Sequence, residues 1–184
     1  MKRVLFVAAA ALMVAACDSD TSGPGSKDQP PALFEIEYMN YATEPTWKGF
    51  YVDAEGKLYS YDRSAVSDSM PTPKDAYTHA ELMEKFGVKR QLVRSISTDS
   101  LEDLVELVPE AAAGTITDPV DKCVDAGLLH FRAWIHKANT GKYEPVPLRT
   151  EGDQVQVNQS EAAQTLYEWL DELDLVTHIE DCQP

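Results

Sequence analysis

The sequence predicts an α+β fold, with an antiparallel sheet of about five to six strands and about three helices packed on one face. Two blocks of strand-like alternation, residues 33–62 and 129–157, flank a stretch of helical periodicity. A last helical pattern follows near residues 160–173. Strands and helices do not alternate one by one, so a parallel doubly wound sheet is not expected.

The first block is the densest. Phe34, Ile36 and Tyr38 alternate with Glu35, Glu37 and Met39, the period of a half-buried strand. Glu44-Pro45 interrupts the pattern, and Trp47 to Asp53 reads as a second strand. Asp53-Ala54-Glu55-Gly56 is turn chemistry, with Gly56 suited to a left-handed position. Lys57 to Asp62 completes a three-strand meander, and residues 63–77 read as a loop.

Thr78-x-x-Glu81 has the spacing of a capping box, Leu82, Met83 and Phe86 supply one apolar side, and Gly87 can end the helix. Residues 88–96 fit neither period. A stronger helix begins at Ser100, with Leu101, Leu104, Val105 and Val108 on one stripe and Pro109 against its continuation. Residues 115–127 read as loop.

In the second block Leu129, Phe131, Ala133 and Ile135 face one way, and His130, Arg132, Trp134 and His136 the other. Asn139-Thr140-Gly141 turns into a strand from Tyr143 to Arg149, which Pro145 and Pro147 assign to a sheet edge. Val155 and Val157 extend the sheet. The last helix, about Ser160 to Leu173, buries Ala162, Ala163, Leu166, Trp169, Leu170 and Leu173.

The N-terminal residues have a different character. Met1-Lys2-Arg3 precedes an apolar run from Val4 to Val14, the layout of a secretory signal. The run is shorter than the ~20 residues a bilayer span needs. Small residues Ala15 and Ala16 stand before Cys17. Val14-Ala15-Ala16-Cys17 resembles the lipobox of bacterial lipoproteins. The resemblance covers residues 1–17 and implies a signal peptide over 1–16, lipid on the Cys17 thiol, cleavage before Cys17 and acylation of the new amine. Two or three acyl chains hold a protein stably, since each buried methylene contributes ~0.8 kcal/mol. The implied location is the bacterial envelope, facing the periplasm or the exterior. Asp18 implies inner-membrane retention in enteric bacteria, a rule that other lineages do not share, so the choice of membrane stays open. Polar, Gly/Ser/Pro-containing residues 18–32 then read as a tether to one globular domain over 33–184.

With Cys17 lipidated, Cys123 and Cys182 remain. In an oxidising compartment this even pair reads as a disulfide. It would close a loop of about 60 residues and stabilise by ~4 kcal/mol in the chain-entropy model.

Sixteen basic and 31 acidic side chains give a formal charge of −15, and loss of Lys2 and Arg3 makes it more negative. Nucleic acid is thereby disfavoured as a partner, and so is a body lying flat on anionic lipid. Eight of the sixteen aromatic residues lie between Phe34 and Tyr61. Trp47 and Tyr51 share one side of their strand, and Tyr59 and Tyr61 one side of theirs. Such rings, opposite the helices, would form a platform for a sugar or peptide; the alternatives are that both faces are covered, or that the tyrosines flank the core with wet hydroxyls.

His130 and His136 are too far apart on one strand to share a metal, but with Asp121 or Asp125 could serve general acid–base chemistry. The alternative is a polar strand face with one packed tryptophan. Asp118, Asp121 and Asp125 carry oxygen ligands suited to calcium, at a spacing that matches no known loop. Gly-x-Ser-x-Gly, His-Glu-x-x-His, Ser-x-x-Lys and phosphate-cradling glycine loops are absent from the sequence, and no cofactor or metal is implied. The expected function is therefore a membrane-anchored module that binds an envelope protein, peptide or glycan. The alternatives are an envelope hydrolase with a site near His130 and His136, or a structural lipoprotein of a larger assembly.

Overall fold

A computed structural model of the chain describes residues 30–42, 44–65 and 74–176. Residues 1–29, which include Cys17 and most of the expected tether, lie outside the described residues, as does Cys182. The strands are β1 (Phe34–Asn40), β2 (Thr46–Val52), β3 (Lys57–Asp62), β4 (Gln91–Ser95), β5 (Val120–Asp121), β6 (Leu128–Lys137), β7 (Lys142–Gly152) and β8 (Gln154–Val157). The helices are α1 (His79–Gly87), α2 (Thr98–Ala112) and α3 (Glu161–Glu172). The fold is α+β, with one antiparallel sheet in the order β4-β3-β2-β1-β6-β7-β8-β5.

Eight strands correct the expectation of five to six. β4 arises from the segment that fits neither period. All five of its residues are exposed, so no buried stripe marks it, and its hydrogen bonds to β3 alone define it. β5 is a two-residue ladder on β8, inside the stretch expected to be loop.

The placement of the helices is a second correction. α2 and α3 cover the sheet face that carries Phe34, Ile36, Val52, Leu58, Phe131 and Ala133. They bury Leu101, Val108 and Ala111 from one helix and Ala162, Ala163, Leu166 and Leu170 from the other. Each large apolar side chain so buried contributes ~1.5–3 kcal/mol. Helix α1 lies on the opposite face, where Leu82 and Phe86 pack with Tyr51, Tyr59, Tyr61 and Trp134. Its capping box forms as expected: the Thr78 hydroxyl accepts from the Glu81 backbone N–H, and the Glu81 carboxylate accepts from the Thr78 N–H at 2.7 Å. The inward residues of α1 are Leu82, Lys85 and Phe86, and Met83 is exposed. Met83, expected on the apolar side, thus faces out, and Lys85 turns inward with Leu82 and Phe86.

α2 continues through Pro109 to Ala112. Pro109 is exposed, so water can take the carbonyl that its missing N–H leaves free. β7 is flanked by β6 and β8, yet β8 pairs only with Arg149 and Thr150. Tyr143 directs its backbone N–H and carbonyl away from β6, to Tyr77. Pro145 and Pro147 share that parity, so their rings replace N–H groups on the unpaired flank and the ladder to β6 is kept. The edge expectation therefore applies to the first half of β7 alone.

A Cβ at Gly49 would collide with the Ile36 carbonyl of β1 and stand 2.9 Å from the Tyr61 hydroxyl. The missing side chain lets Tyr61, on β3, reach across β2 to carboxylates on β1. Gly49→Ala is expected to lower unfolding stability by about 2–3 kcal/mol in urea titration, as overpacking of a closed site does.

Candidate functional site

Alternation along β1 turns Glu35 and Glu37 away from the face under α2 and α3. They do not reach solvent: their exposures are 0% and 2%. Ionised carboxylates there require partners, because an isolated buried charge is prohibitively costly. Lys85 of α1 supplies one, with Nζ 2.7 Å from Glu35 Oε1 and 2.8 Å from Glu37 Oε1. Arg132 of β6, in register with Glu35, supplies the other, with Nη1 2.6 Å from Glu37 Oε2 and 3.4 Å from Glu35 Oε2. Tyr61 donates its hydroxyl to Glu35 Oε1 at 2.6 Å. The Trp47 indole N–H donates to Glu37 Oε1 at 2.7 Å. Two acids and two bases thus form a neutral cluster.

The electrostatics follow from this geometry. Burial alone would raise the Glu37 carboxyl, but Lys85 and Arg132 outweigh it and hold the group well below the usual carboxylate range. Burial, reinforced by Glu35 and Glu37, pushes the Tyr61 hydroxyl well above its usual value, so it remains a donor. Burial opposes the Arg132 charge, and the two glutamates more than restore it.

The cluster forms part of the wall of a cleft of about 520 Å³ between α1, residues 74–77 and the uncovered parts of β1, β2, β6, β7 and β8. Trp47, Tyr77 and Trp134 give it aromatic surface, and Tyr77 and Trp134 meet edge-on at 5.4 Å. Its cations are Arg63, Lys74, Lys85, Arg132 and Arg149, and its acids Glu37, Asp75, Glu81, Glu84 and Glu144. Locally balanced charge is notable in a chain of −15. Among the described residues, three buried side-chain polar atoms have no hydrogen-bond partner: Tyr41 Oη, Arg63 Nε and Trp134 Nε1. The last two belong to cleft residues.

The expected aromatic platform is corrected here. Trp47, Tyr51, Tyr59 and Tyr61 do share one face, through the pairs Tyr51–Tyr59 and Gly49–Tyr61. Their exposures are only 7%, 3%, 8% and 2%: Phe86 of α1 packs against Tyr51 and Tyr61, Tyr51 stacks on Tyr59, and Arg63 and Arg90 lie over the rings of Trp47 and Tyr59. Of the four, Trp47 alone lines the cleft. His130 also lines it, with Nδ1 3.1 Å from the Thr150 hydroxyl. Burial, helped by Arg132, pushes its pKa down to about 3, so it is neutral at pH 7. His136 does not line the cleft and packs against Tyr143, ring centroids 4.9 Å apart. Six residues along one strand separate the two histidines by about 20 Å.

Asp118, Asp121 and Asp125 are exposed, and Asp121 accepts from the Gln154 amide at 3.0 Å. No three His, Cys, Asp or Glu among the described residues are set to hold a metal. Cys123 is half-buried.

Sequence reasoning missed Glu35, Glu37, Lys85 and Arg63. One signal was present: a meander pairs Glu35 with Tyr51, which sets the acids on the same face as four aromatic residues. A face that rich in rings needs a cover, and a lysine three residues after Leu82 is the group that a cover over two carboxylates requires.

Lys85→Met is expected to lower stability by about 3–5 kcal/mol, the range for removing one partner of a buried pair. Adding Glu35→Gln should recover part of that loss, which urea titration of both variants would read as positive coupling. The depressed His130 pKa gives a pH dependence of definite sign. The unfolded chain takes up a proton near pH 6.5 that the folded chain refuses until about pH 3. Stability is therefore full above about pH 6.5 and falls as the pH drops toward 3. His130→Gln should flatten the decline between pH 6 and 4.5 in urea midpoints.

No family model, curated protein or solved structure matches the chain.

Proposed function

We propose that the chain is an envelope lipoprotein, held to a membrane by lipid on Cys17, whose cleft beside α1 binds a protein, peptide or glycan. The observation that carries the binding part is the cleft itself: about 520 Å³, edged by Trp47, Tyr77 and Trp134, with donors that the described residues leave unpaired. Concave sites of 300–1,000 Å³ with apolar walls and a few convergent polar groups are the usual form of ligand sites. The anchor rests on Val14-Ala15-Ala16-Cys17. Among the described residues no helix is long and apolar enough to cross a membrane.

The cluster chemistry favours binding over hydrolysis. Glu35, Glu37, Lys85 and Arg132 neutralise one another, so each is engaged in building the wall. Neutral His130 is a base too weak to take a proton efficiently at pH 7, with a pKa of about 3. His136 is too distant to assist it. A structural role in a larger assembly shares the anchor and differs in leaving the cleft unused.

Growth with an alkyne-tagged fatty acid tests the anchor. The full chain should carry the label in the membrane fraction, and Cys17→Ser should lose both label and membrane association; a labelled Cys17→Ser chain would contradict it. In the same preparation, non-reducing peptide mapping should find Cys123 joined to Cys182. Capture of the acylated protein from its own envelope tests the cleft. A bound partner that is lost when Trp47 is replaced by Ala supports the binding reading, and one retained by that variant favours assembly through another surface.

A further inference from the structure

Arg63 departs from the other cations of the cleft. Lys85 and Arg132 are consumed by Glu35 and Glu37. Lys74 pairs with Glu81 at 2.7 Å, and Arg149 with Glu151 at 2.6 Å. Arg63 makes no ion pair with a described residue. Its guanidinium carbon lies 4.4 Å from the Trp47 ring centroid, and its Nε–H is buried without a partner among the described residues. Stacking fixes the plane of the guanidinium and leaves its edge to meet a planar anion. Trp47 is in turn held by its N–H bond to Glu37, so the buried cluster sets the position of Arg63 through the ring beneath it.

Two further donors share this condition. Trp134 is 3% exposed, lines the cleft, and has an indole N–H with no partner among the described residues. An indole nitrogen can only donate. The Tyr41 hydroxyl is likewise buried and unpartnered, and burial, then Glu37, raises its pKa, so it keeps its proton. Buried polar groups are satisfied in folded proteins with few exceptions, and here all three exceptions can donate a hydrogen bond. The ligand that fits the two donors lining the cleft, Arg63 and Trp134, brings acceptor oxygens, and at Arg63 it brings negative charge.

We propose that the cleft binds a short peptide through a carboxylate, with Arg63 receiving the carboxylate and the Trp134 N–H bonding an acceptor further along the chain. This rests on the binding function proposed above and narrows its ligand. A peptide fits better than a uniformly anionic polymer, because Asp75, Glu84 and Glu144 also line the cleft and favour amide N–H groups or an ammonium beside the single carboxylate.

The test uses the full acylated chain in detergent and four probes. These are a tetrapeptide library without Asp or Glu and with free C-terminal carboxylates, the same library amidated, an amidated tetrapeptide library with one internal Asp, and a mixture of uronic-acid oligosaccharides. Binding is read by affinity selection and by quenching of tryptophan fluorescence. Peptides that carry a carboxylate, terminal or internal, should bind at least tenfold more tightly than neutral ones. Arg63→Gln should remove that preference, and Trp134→Phe, which keeps an aromatic ring in the packing and loses the N–H, should weaken binding three- to tenfold with unchanged far-ultraviolet circular dichroism. Equal binding of acid and amide libraries, or wild-type affinity in Arg63→Gln, would overturn the carboxylate assignment. If those peptides still lose affinity in Trp134→Phe, the binding module stands and its ligand is neutral. Retention of the uronic-acid mixture alone overturns the peptide, and silence in all four arms overturns the proposal. A protein partner captured from the envelope would then still sustain the broader function.

Discussion

The structure depends on the neutralisation of two carboxylates that one strand buries beneath a helix. Glu35 and Glu37 are set inward by the same alternation that buries Phe34 and Ile36 on the other side of β1. Every neighbouring element contributes to holding them: β2 through Trp47, β3 through Tyr61, β6 through Arg132 and α1 through Lys85. Such clusters add little net stability compared with an apolar core, because desolvation offsets most of the attraction. Their effect lies in specificity. Helix α1 offers Leu82 and Phe86 to the sheet, and apolar contact alone tolerates many registers; Lys85 admits the one that places its ammonium between two carboxylates.

That register determines the cleft. α1 lies over Tyr51, Tyr59, Tyr61 and Trp134 and leaves Arg132 and His130 only partly covered. Both carboxylates of the cluster are bonded from several elements: Glu35 from α1, β3 and β6, and Glu37 from α1, β2 and β6. Trp47 belongs to the cluster through its N–H and to the cleft through its ring. A site built on strands and locked by surrounding hydrogen bonds is pre-organised, which reduces the ordering cost of binding. The proposed function needs such a surface at the end of a lipid tether and needs no reactive group within it.

The sequence discloses the side of the sheet that obeys one simple rule. Phe34, Ile36, Phe131 and Ala133 alternate with polar residues, and Ala162, Leu166 and Leu170 recur at helical spacing, so the core under α2 and α3 is legible from period alone. The opposite side obeys two rules at once. Glu35, Glu37 and Arg132 look like solvent-facing residues, and their burial becomes visible only when strand pairing brings them beside Lys85, 48 to 50 residues further along for the glutamates. Met83 misleads for the same reason: hydrophobicity assigns it inward, and charge complementarity gives the inward place to Lys85. β4 escapes because an exposed edge strand carries no buried stripe, and the cleft escapes because it joins residues from five strands and a helix.

The central claim is that Glu37 is ionised within the buried cluster, and the direct measurement is its side-chain carboxyl carbon resonance followed by nuclear magnetic resonance as the pH is lowered. The account predicts a shift that stays constant from pH 7 down to pH 4 while the protein remains folded, since Lys85 and Arg132 hold the group well below the usual carboxylate range. A titration of that resonance with an ordinary midpoint near 4.5 in the folded protein would contradict it.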